Sequence, residues 1–536
     1  MKICIAQINS VVGGLQHNYS LIAKAAKKAL DENVSLLITP ELSLTGYPPE
    51  DLLLNNNFLM EVNEKLLLLA KENPKIMIIV GHPLLEGEKL FNAASVIYKG
   101  KVFKKYKKQI LPNYGVFDEK RYFVPGNSSL IFNYKKLTIG VLICEDIWSK
   151  LPIENLIKNN VDLIVCINAS PYEIDKNNHR ITNIQKKIKG SNSKVVYVNT
   201  VGGQDDLLFD GGSFILDPNI GLVLSLPQFK ITNKIVELNS LNKNEVKDSL
   251  GSINILFDGL VLALKDYLQK NSIQKVFLGL SGGIDSAVVL CIAAKACSKK
   301  DIQTIMMPTK FTSKISLDDA KTLAKNIGVK YTIKRIDSLN NKINKMFEKD
   351  FLGYEADTTE ENIQARIRGL LLMTYANKFK GVVLATSNKS ETAVGYATLY
   401  GDMVGGFSVL KDVPKTWVYK LAQFINENEI IIPTRIITRA PSAELKDNQS
   451  DQDSLPDYEI LDGIIDLYLD KGHSPATIIK KGYDAFTVKK VVKLIHGSEF
   501  KRRQSAPGPK VTNKAFGKER RYPITNNFKI TTKGNS

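Results

Sequence analysis

The sequence predicts an α/β protein of two domains, and three observations predict it. Short apolar runs alternate with amphipathic stretches along most of the chain, as strands and helices in turn would. One of those runs, Lys275 to Leu280, leads through a Ser-Gly-Gly turn into an alanine-rich helix from Ala287 to Cys297. Between Glu237 and Ser252 the chain turns polar, with Leu241-Asn-Lys-Asn-Glu-Val-Lys-Asp248, and the pattern breaks. The boundary is expected there, giving one domain over 1–245 and a second over 246–536.

Composition narrows the class. A chain of 536 residues is too long for one core. No apolar run approaches the roughly 18 residues of a membrane-spanning helix. Met1-Lys-Ile-Cys-Ile-Ala-Gln-Ile reads as a first strand rather than a signal peptide. Five cysteines, at 4, 144, 166, 291 and 297, make no disulfide framework, and reduced thiols fit a cytoplasm. Without a Cys-x-x-Cys pair, and with five histidines in all, a structural zinc site is not expected. The net charge of +18 suits either a nucleic-acid binder or a lysine-rich surface that also handles anionic small molecules. Only Lys501-Arg-Arg503 and Lys518-Glu-Arg-Arg521 are dense. That favours a solvated surface with a local phosphate-binding tail, and no specific nucleic-acid partner.

In the first half, Lys2 to Ile8, Ser35 to Ile38, Lys75 to Val80, Leu137 to Ile143, Val161 to Ile167 and Lys194 to Val198 read as strands. Tyr19 to Leu30 and Val62 to Lys71 read as helices. Three residues at strand ends stand out. Glu41 lies in Pro40-Glu-Leu-Ser-Leu-Thr-Gly-Tyr47, Lys108 in Tyr106-Lys-Lys-Gln-Ile-Leu-Pro112, and Cys144 in Gly140-Val-Leu-Ile-Cys-Glu-Asp-Ile-Trp148. A cysteine attacks as thiolate, and an adjacent ammonium stabilises that charge. A glutamate nearby can carry the proton to a leaving ammonia. Together they make an amide hydrolase.

In the second half, Gly279, Leu280, Ser281, Gly282, Gly283, Ile284, Asp285 and Ser286 form a strand-to-helix turn. Such a turn gathers several backbone N–H groups around one concavity, which suits a phosphate. Ser281 and Ser286 add hydroxyls, and Asp285 supplies a carboxylate for a magnesium ion riding on the phosphates. The Walker A pattern is absent. Strands follow at Gln303 to Met307, Lys330 to Arg335 and Val382 to Ala385. Helices follow at Leu317 to Ile327 and Glu361 to Phe379, so a doubly wound parallel sheet is expected, with ligand loops at its carboxyl edge.

The surroundings of Glu41, Lys108 and Cys144 resemble the nitrilase superfamily. That resemblance implies its four-layer αββα sandwich and its Glu-Lys-Cys triad, with Lys107 the alternative to Lys108. Tyr114, Ser170 in Asn168-Ala-Ser-Pro-Tyr172 and Lys176 match the positions that hold glutamine in the glutaminase branch. The turn at Gly279 resembles the pyrophosphate loop of ATP pyrophosphatases, which implies an adenine nucleotide alpha hydrolase-like sheet. With Thr359-Glu-Glu-Asn-Ile-Gln-Ala-Arg-Ile-Arg368, Leu384-Ala-Thr-Ser-Asn-Lys-Ser-Glu391, Thr398-Leu-Tyr-Gly-Asp402, Lys411-Asp-Val-Pro-Lys415 and Ala440-Pro-Ser442, nearly the whole chain resembles the glutamine-dependent NAD synthetase family.

That resemblance implies ATP on Gly279 to Ser286, Thr386, Lys415 and Ser442, and magnesium on Asp285 and Glu391. It implies nicotinic acid adenine dinucleotide (deamido-NAD) on Asn362, Glu391 and Lys501, and at least a dimer. One departure accompanies it. Lys310-Phe311 stands where the family often has Arg-Tyr, which removes a bidentate donor and a hydroxyl. The acidic stretch Asp447 to Asp457 reads as a cover over the site. Two other readings stay open: the same architecture with another acceptor, such as the nucleotide XMP, and a nucleic-acid module over Lys501 to Arg521.

Overall fold

Along the first strand, Lys2–Gln7, the side chains divide by parity. Ile3 and Ile5 join one core with Ile139 and Val141. Cys4 and Ala6 join another with Ile22 and Ala25 of the helix Leu15–Asp31 and Val62 and Leu66 of the helix Asn56–Glu72. The strand is buried on both faces, between helices and a second sheet. The computed structural model describes residues 1–241, 252–442, 444–446, 449 and 451–527. The chain falls into two units, Met1–Ile255 and Leu256–Ser536. The boundary expected at residue 245 lies outside the described residues.

The first unit holds two six-stranded sheets. One runs Thr232–Glu237, Lys2–Gln7, Leu36–Ile38, Met77–Glu86, Lys89–Tyr98, Lys101–Lys107. The other runs Gly221–Ser225, Phe214–Asp217, Lys194–Asn199, Leu163–Asn168, Leu137–Ile143, Leu130–Tyr134. The helices Lys150–Lys158 and Lys176–Ile188 pack on the second sheet through Ile153, Leu156, Ile184 and Ile188. Gly140 is fixed by that packing, because a Cβ there would lie 2.8 Å from the Leu156 side chain. The layers are helix, sheet, sheet, helix, the αββα sandwich.

The second unit is built on a five-stranded parallel sheet in the order Lys330–Ile333, Ile302–Met306, Lys275–Gly279, Gly381–Ala385, Phe407–Ser408. Phe277, Ile305 and Val383 share a core with Ile367, Leu372 and Ala376 of the helix Thr358–Phe379. Chain order reverses between Lys275–Gly279 and Gly381–Ala385, and ligands of doubly wound sheets bind outside the carboxyl ends at such a switch point. Two expected segments emerge there: Leu280 to Ser286 after the first strand, and Thr386 to Glu391 after the second.

Candidate active sites

Cys144 ends the strand Leu137–Ile143 and opens a short helix with φ +43° and ψ −98°, a backbone state that costs a non-glycine residue energy. Two contacts hold the elbow. The Cys144 N–H donates to the Ile167 carbonyl at 2.9 Å. Asp146, fully buried, accepts from the N–H groups of Ile110 at 2.8 Å, Gln109 at 3.0 Å and Ile143 at 3.2 Å. Asp146 thereby ties the cysteine elbow to the segment that follows Lys108.

Lys108 follows the edge strand Lys101–Lys107, where direction again alternates. Lys107 points outward, donating to Glu86 at 2.6 Å with its ammonium 4.1 Å from the Phe91 ring centre. Lys108 points inward and is 1% exposed. Its ammonium donates to Glu41 at 2.7 Å and to Glu119 at 2.8 Å. Glu41 also accepts from the Asn92 amide and from the Ala169 N–H, both at 2.8 Å. Gly81 lets the Glu41 loop come close, since a Cβ there would sit 2.4 Å from the Leu42 nitrogen.

These charges decide the resting state of the thiol. Burial pushes the Cys144 thiol well above its ordinary value and Glu41 pushes it further, while Lys108 pulls it down. The structure adds a second carboxylate on the same lysine, so burial and the two carboxylates favour the neutral thiol while Lys108 opposes them. Glu119 is itself pushed up to about 7, by burial first and against the pull of Lys108.

The glutamine-holding candidates lie on different elements. Ser170 is buried, accepting from Arg180 at 3.0 Å through its hydroxyl, while its N–H donates to Asn199 at 2.9 Å. Arg180 is locked on Asp210 by two bonds of 2.8 Å. Tyr114 is exposed and donates to Glu145, the neighbour of Cys144, at 2.9 Å. Lys176 begins its helix and donates to Glu173 at 2.8 Å.

In the second unit the Ser-Gly-Gly turn joins the strand Lys275–Gly279 to the helix Ile284–Ala296. Gly282 has φ +85°, and a Cβ there would lie 2.6 Å from the Ser316 carbonyl oxygen, so only glycine fits. Ser281 accepts from the Gly283 N–H at 3.2 Å, and Ser286 donates to the Gly283 carbonyl at 2.9 Å. Asp285 accepts from Asn388 at 2.9 Å, and the same Asn388 caps the helix Lys389–Val394 by accepting from the Glu391 N–H at 3.0 Å. Lys415, 2% exposed, pairs with Asp285 and donates to Glu391 at 3.1 Å. Burial opposes the Lys415 charge, but Asp285 and Glu391 outweigh it and its pKa rises. Glu391 is pushed up to about 7 by burial, against the pull of Lys415 and with Asp285 adding to the push.

Ser281, Asp285, Glu391 and Lys415 line a polar cavity of about 190 Å³ with Thr386, Arg439 and Ser442. A second cavity of about 240 Å³ shares Ser281, Thr386 and Asp402 with it and is walled by Ile305, Met306, Met307, Leu372 and Leu384. Asn362 and Lys501 line neither. Asn362 accepts from Thr398 at 2.7 Å. Lys501 donates to the carbonyls of Gly395 at 2.8 Å and Ala397 at 2.7 Å, beside a cavity of about 20 Å³ that reaches Ser387. Of the expected cover, residues 447, 448 and 450 lie outside the described residues. Asp451 lines the polar cavity and accepts from Tyr396 and Tyr458 at 3.1 and 2.9 Å.

Sequence reasoning missed Glu119, Asp146, Asn388 and Arg368. The Asn-x-x-Glu spacing from Asn388 to Glu391 was a readable cap signal. Arg368, whose pKa burial lowers to about 10, donates to the Met307 carbonyl at 3.1 Å on the wall of the apolar cavity. Two residues of the dense basic stretch turn inward or pair locally. Arg502 is buried, and Arg503 pairs with Glu499 at 2.6 Å.

Two family models match the chain: carbon-nitrogen hydrolase over residues 2–242 and NAD synthase over residues 256–505. The glutamine-dependent NAD(+) synthetase of Acinetobacter baylyi is 46% identical, over 98% of this chain and 99% of that one. The protein of the same description from Aquifex aeolicus is 40% identical, over 98% of this chain and all of that one. Among solved structures, that of the glutamine-dependent NAD+ synthetase from Acinetobacter baumannii in complex with adenosine diphosphate superposes with a TM-score of 0.80 at 42% identity, covering 99% of both chains. A Cytophaga hutchinsonii structure shares the fold, with a TM-score of 0.86 at 22% identity and 98% coverage of both chains.

Proposed function

The chain belongs to the glutamine-dependent NAD(+) synthetase family, and from that premise we propose how its residues divide the reaction. Residues 1–245 hydrolyse glutamine, and residues 246–536 use the ammonia and ATP to amidate deamido-NAD. What supports this reading is the presence, in one chain, of a buried Glu-Lys-Cys cluster and a Ser-Gly-Gly loop facing paired carboxylates.

The Cys144 sulfur attacks the side-chain amide carbon of glutamine, and Glu41 takes the thiol proton. Burial and Glu41 both favour the neutral thiol, so the proton moves to Glu41 as the sulfur attacks. Lys108 stabilises the oxyanion. Glu41 returns the proton to the leaving nitrogen, ammonia departs, and a thioester remains. Water activated by Glu41 then releases glutamate. Glu119 keeps Lys108 charged and oriented. Ser170, Tyr114 and Lys176 hold the rest of the glutamine.

ATP lies with its adenine in the apolar cavity and its phosphates on Gly279 to Ser286, with Thr386 near the adenosine and Lys415 and Ser442 near the phosphates. The carboxylate of the nicotinic acid ring attacks the α-phosphorus and pyrophosphate leaves. Ammonia then displaces AMP. Asp285 and Glu391 already converge on one cation, the Lys415 ammonium, and so fit a magnesium ion, which takes one or two carboxylates besides phosphate oxygens. When bound, the ion neutralises charge on the leaving pyrophosphate. Lys501, with two of its three N–H groups engaged, keeps one for the dinucleotide beside Asn362. Leu370 and Phe379 of the long helix are 61% and 53% exposed, which supports pairing of two subunits there. The protein acts in the cytoplasm.

Product analysis tests the reading. Glutamine, ATP, magnesium and deamido-NAD should yield NAD, glutamate, AMP and pyrophosphate in equal amounts. Turnover of XMP in place of deamido-NAD would favour the other acceptor.

A further inference from the structure

The helix that carries Glu391, Lys389–Val394, has six residues, too few to hold its shape unaided. Its N-terminus is fixed by Asn388. Its C-terminal carbonyls, which no helical N–H satisfies, meet side chains from one face of the segment Ser498 to Arg502. Ser498 donates to the Val394 carbonyl at 2.9 Å. Arg502 donates to the Ala393 carbonyl at 2.7 Å. Lys501 takes the Gly395 and Ala397 carbonyls. Spacings of three and four residues put all three donors on one side of a helical turn.

The two cations also complement the negative end of the helix dipole. Gly395, with φ +70°, admits the clamp, since a Cβ there would lie 2.2 Å from the Ser498 hydroxyl. Arg502 is held from behind. It donates to the Ile495 carbonyl at 2.5 Å and to Glu499 at 3.0 Å, and its guanidinium lies 4.5 Å from the Phe516 ring centre. It is 6% exposed, so it meets the Glu391 helix and not solvent.

We propose that Ser498 and Arg502 are positioning residues for the synthetase reaction, fixing the Glu391 carboxylate through the end of its helix, with Phe516 as the backstop of the clamp. This rests on the reading of Glu391 as a carboxylate for magnesium–ATP. Removing the Arg502 donors frees the end of the helix and lets Glu391 drift from Asp285. A misplacement of this kind costs on the order of ten- to a hundredfold in an aligned reaction.

The test uses the full chain. Arg502→Ala should raise the magnesium concentration for half-maximal ammonium-dependent synthesis about tenfold, and Arg502→Lys, which restores one donor, should recover most of it. Amide hydrogen exchange over 389–397 should quicken in Arg502→Ala and slow again with added guanidinium ion, while the strands Lys275–Gly279 and Gly381–Ala385 stay protected. If Arg502→Ala does not fold, Ser498→Ala and Phe516→Ala are read the same way. Unchanged exchange and unchanged magnesium dependence in whichever variants fold would overturn the clamp. Glu391→Gln separates the two claims. If it leaves the magnesium dependence alone, the reading of Glu391 fails; if it shifts it and the clamp variants do not, only the clamp fails.

Discussion

Lys108 lies 2.8 Å from Glu119, almost as close as it lies to Glu41 at 2.7 Å, and all three are buried. One ammonium thus serves two carboxylates beside a cysteine. Removing Glu119 leaves the Lys108 ammonium paired with Glu41 but takes away its second anchor, so its aim at the thiol site is lost. Glu119→Ala should therefore lower glutamine-dependent synthesis by about a hundredfold, in the range of general acid–base effects, and leave ammonium-dependent synthesis intact. Steady-state rates with each nitrogen source decide it; equal loss with both would remove Glu119 from the thiol site.

Asp285 joins the pyrophosphate loop to Lys415 and to Asn388. Asp285→Ala should abolish amidation with glutamine and with ammonium alike. The residual product of ATP in the native enzyme should be AMP with pyrophosphate. ADP with orthophosphate would rule out an adenylate.

Glu391 is pushed up to about 7, so its protonated form gains as pH falls below that value. A proton then competes with magnesium for the carboxylate. The magnesium requirement of ammonium-dependent synthesis should rise from pH 8 to pH 6, approaching tenfold per pH unit well below the pKa. A requirement flat across that range would show that Glu391 does not ionise on binding the ion.

Lys501→Met should raise the KM for deamido-NAD by about tenfold, the loss of one charged hydrogen bond, with the glutaminase rate measured alone unchanged. An unmoved KM would restrict Lys501 to its carbonyl partners at Gly395 and Ala397.

Much of this was legible in the sequence because the reactive residues stand where a strand's alternation stops. Cys144 directly follows Leu137–Ile143 and Lys108 directly follows Lys101–Lys107. Ser281 begins the loop after Lys275–Gly279. Burial by pairing was not legible. Glu119, in Phe117-Asp-Glu119, reads as a solvated acid until Lys108 and Tyr47 meet it from distant segments. Lys389 likewise is buried against Asp412, Asp470 and Thr512, partners that come from distant segments. The lysine-rich run Lys101–Lys107 hides its strand because an edge strand tolerates charge. Arg502 reads as part of a basic tail, and only the Phe516 ring and the Ala393 carbonyl make it internal.

If one unit makes ammonia and the other consumes it, Cys144→Ala separates the two activities. The variant should lose glutamine-dependent synthesis, because no other side chain of the cluster can form the thioester, and keep synthesis from ammonium salts at the native rate. Lys108→Ala and Glu41→Ala should split the two activities in the same way. Retention of glutamine-dependent synthesis by Cys144→Ala would make Cys144 a core cysteine and leave the first unit without a glutaminase nucleophile.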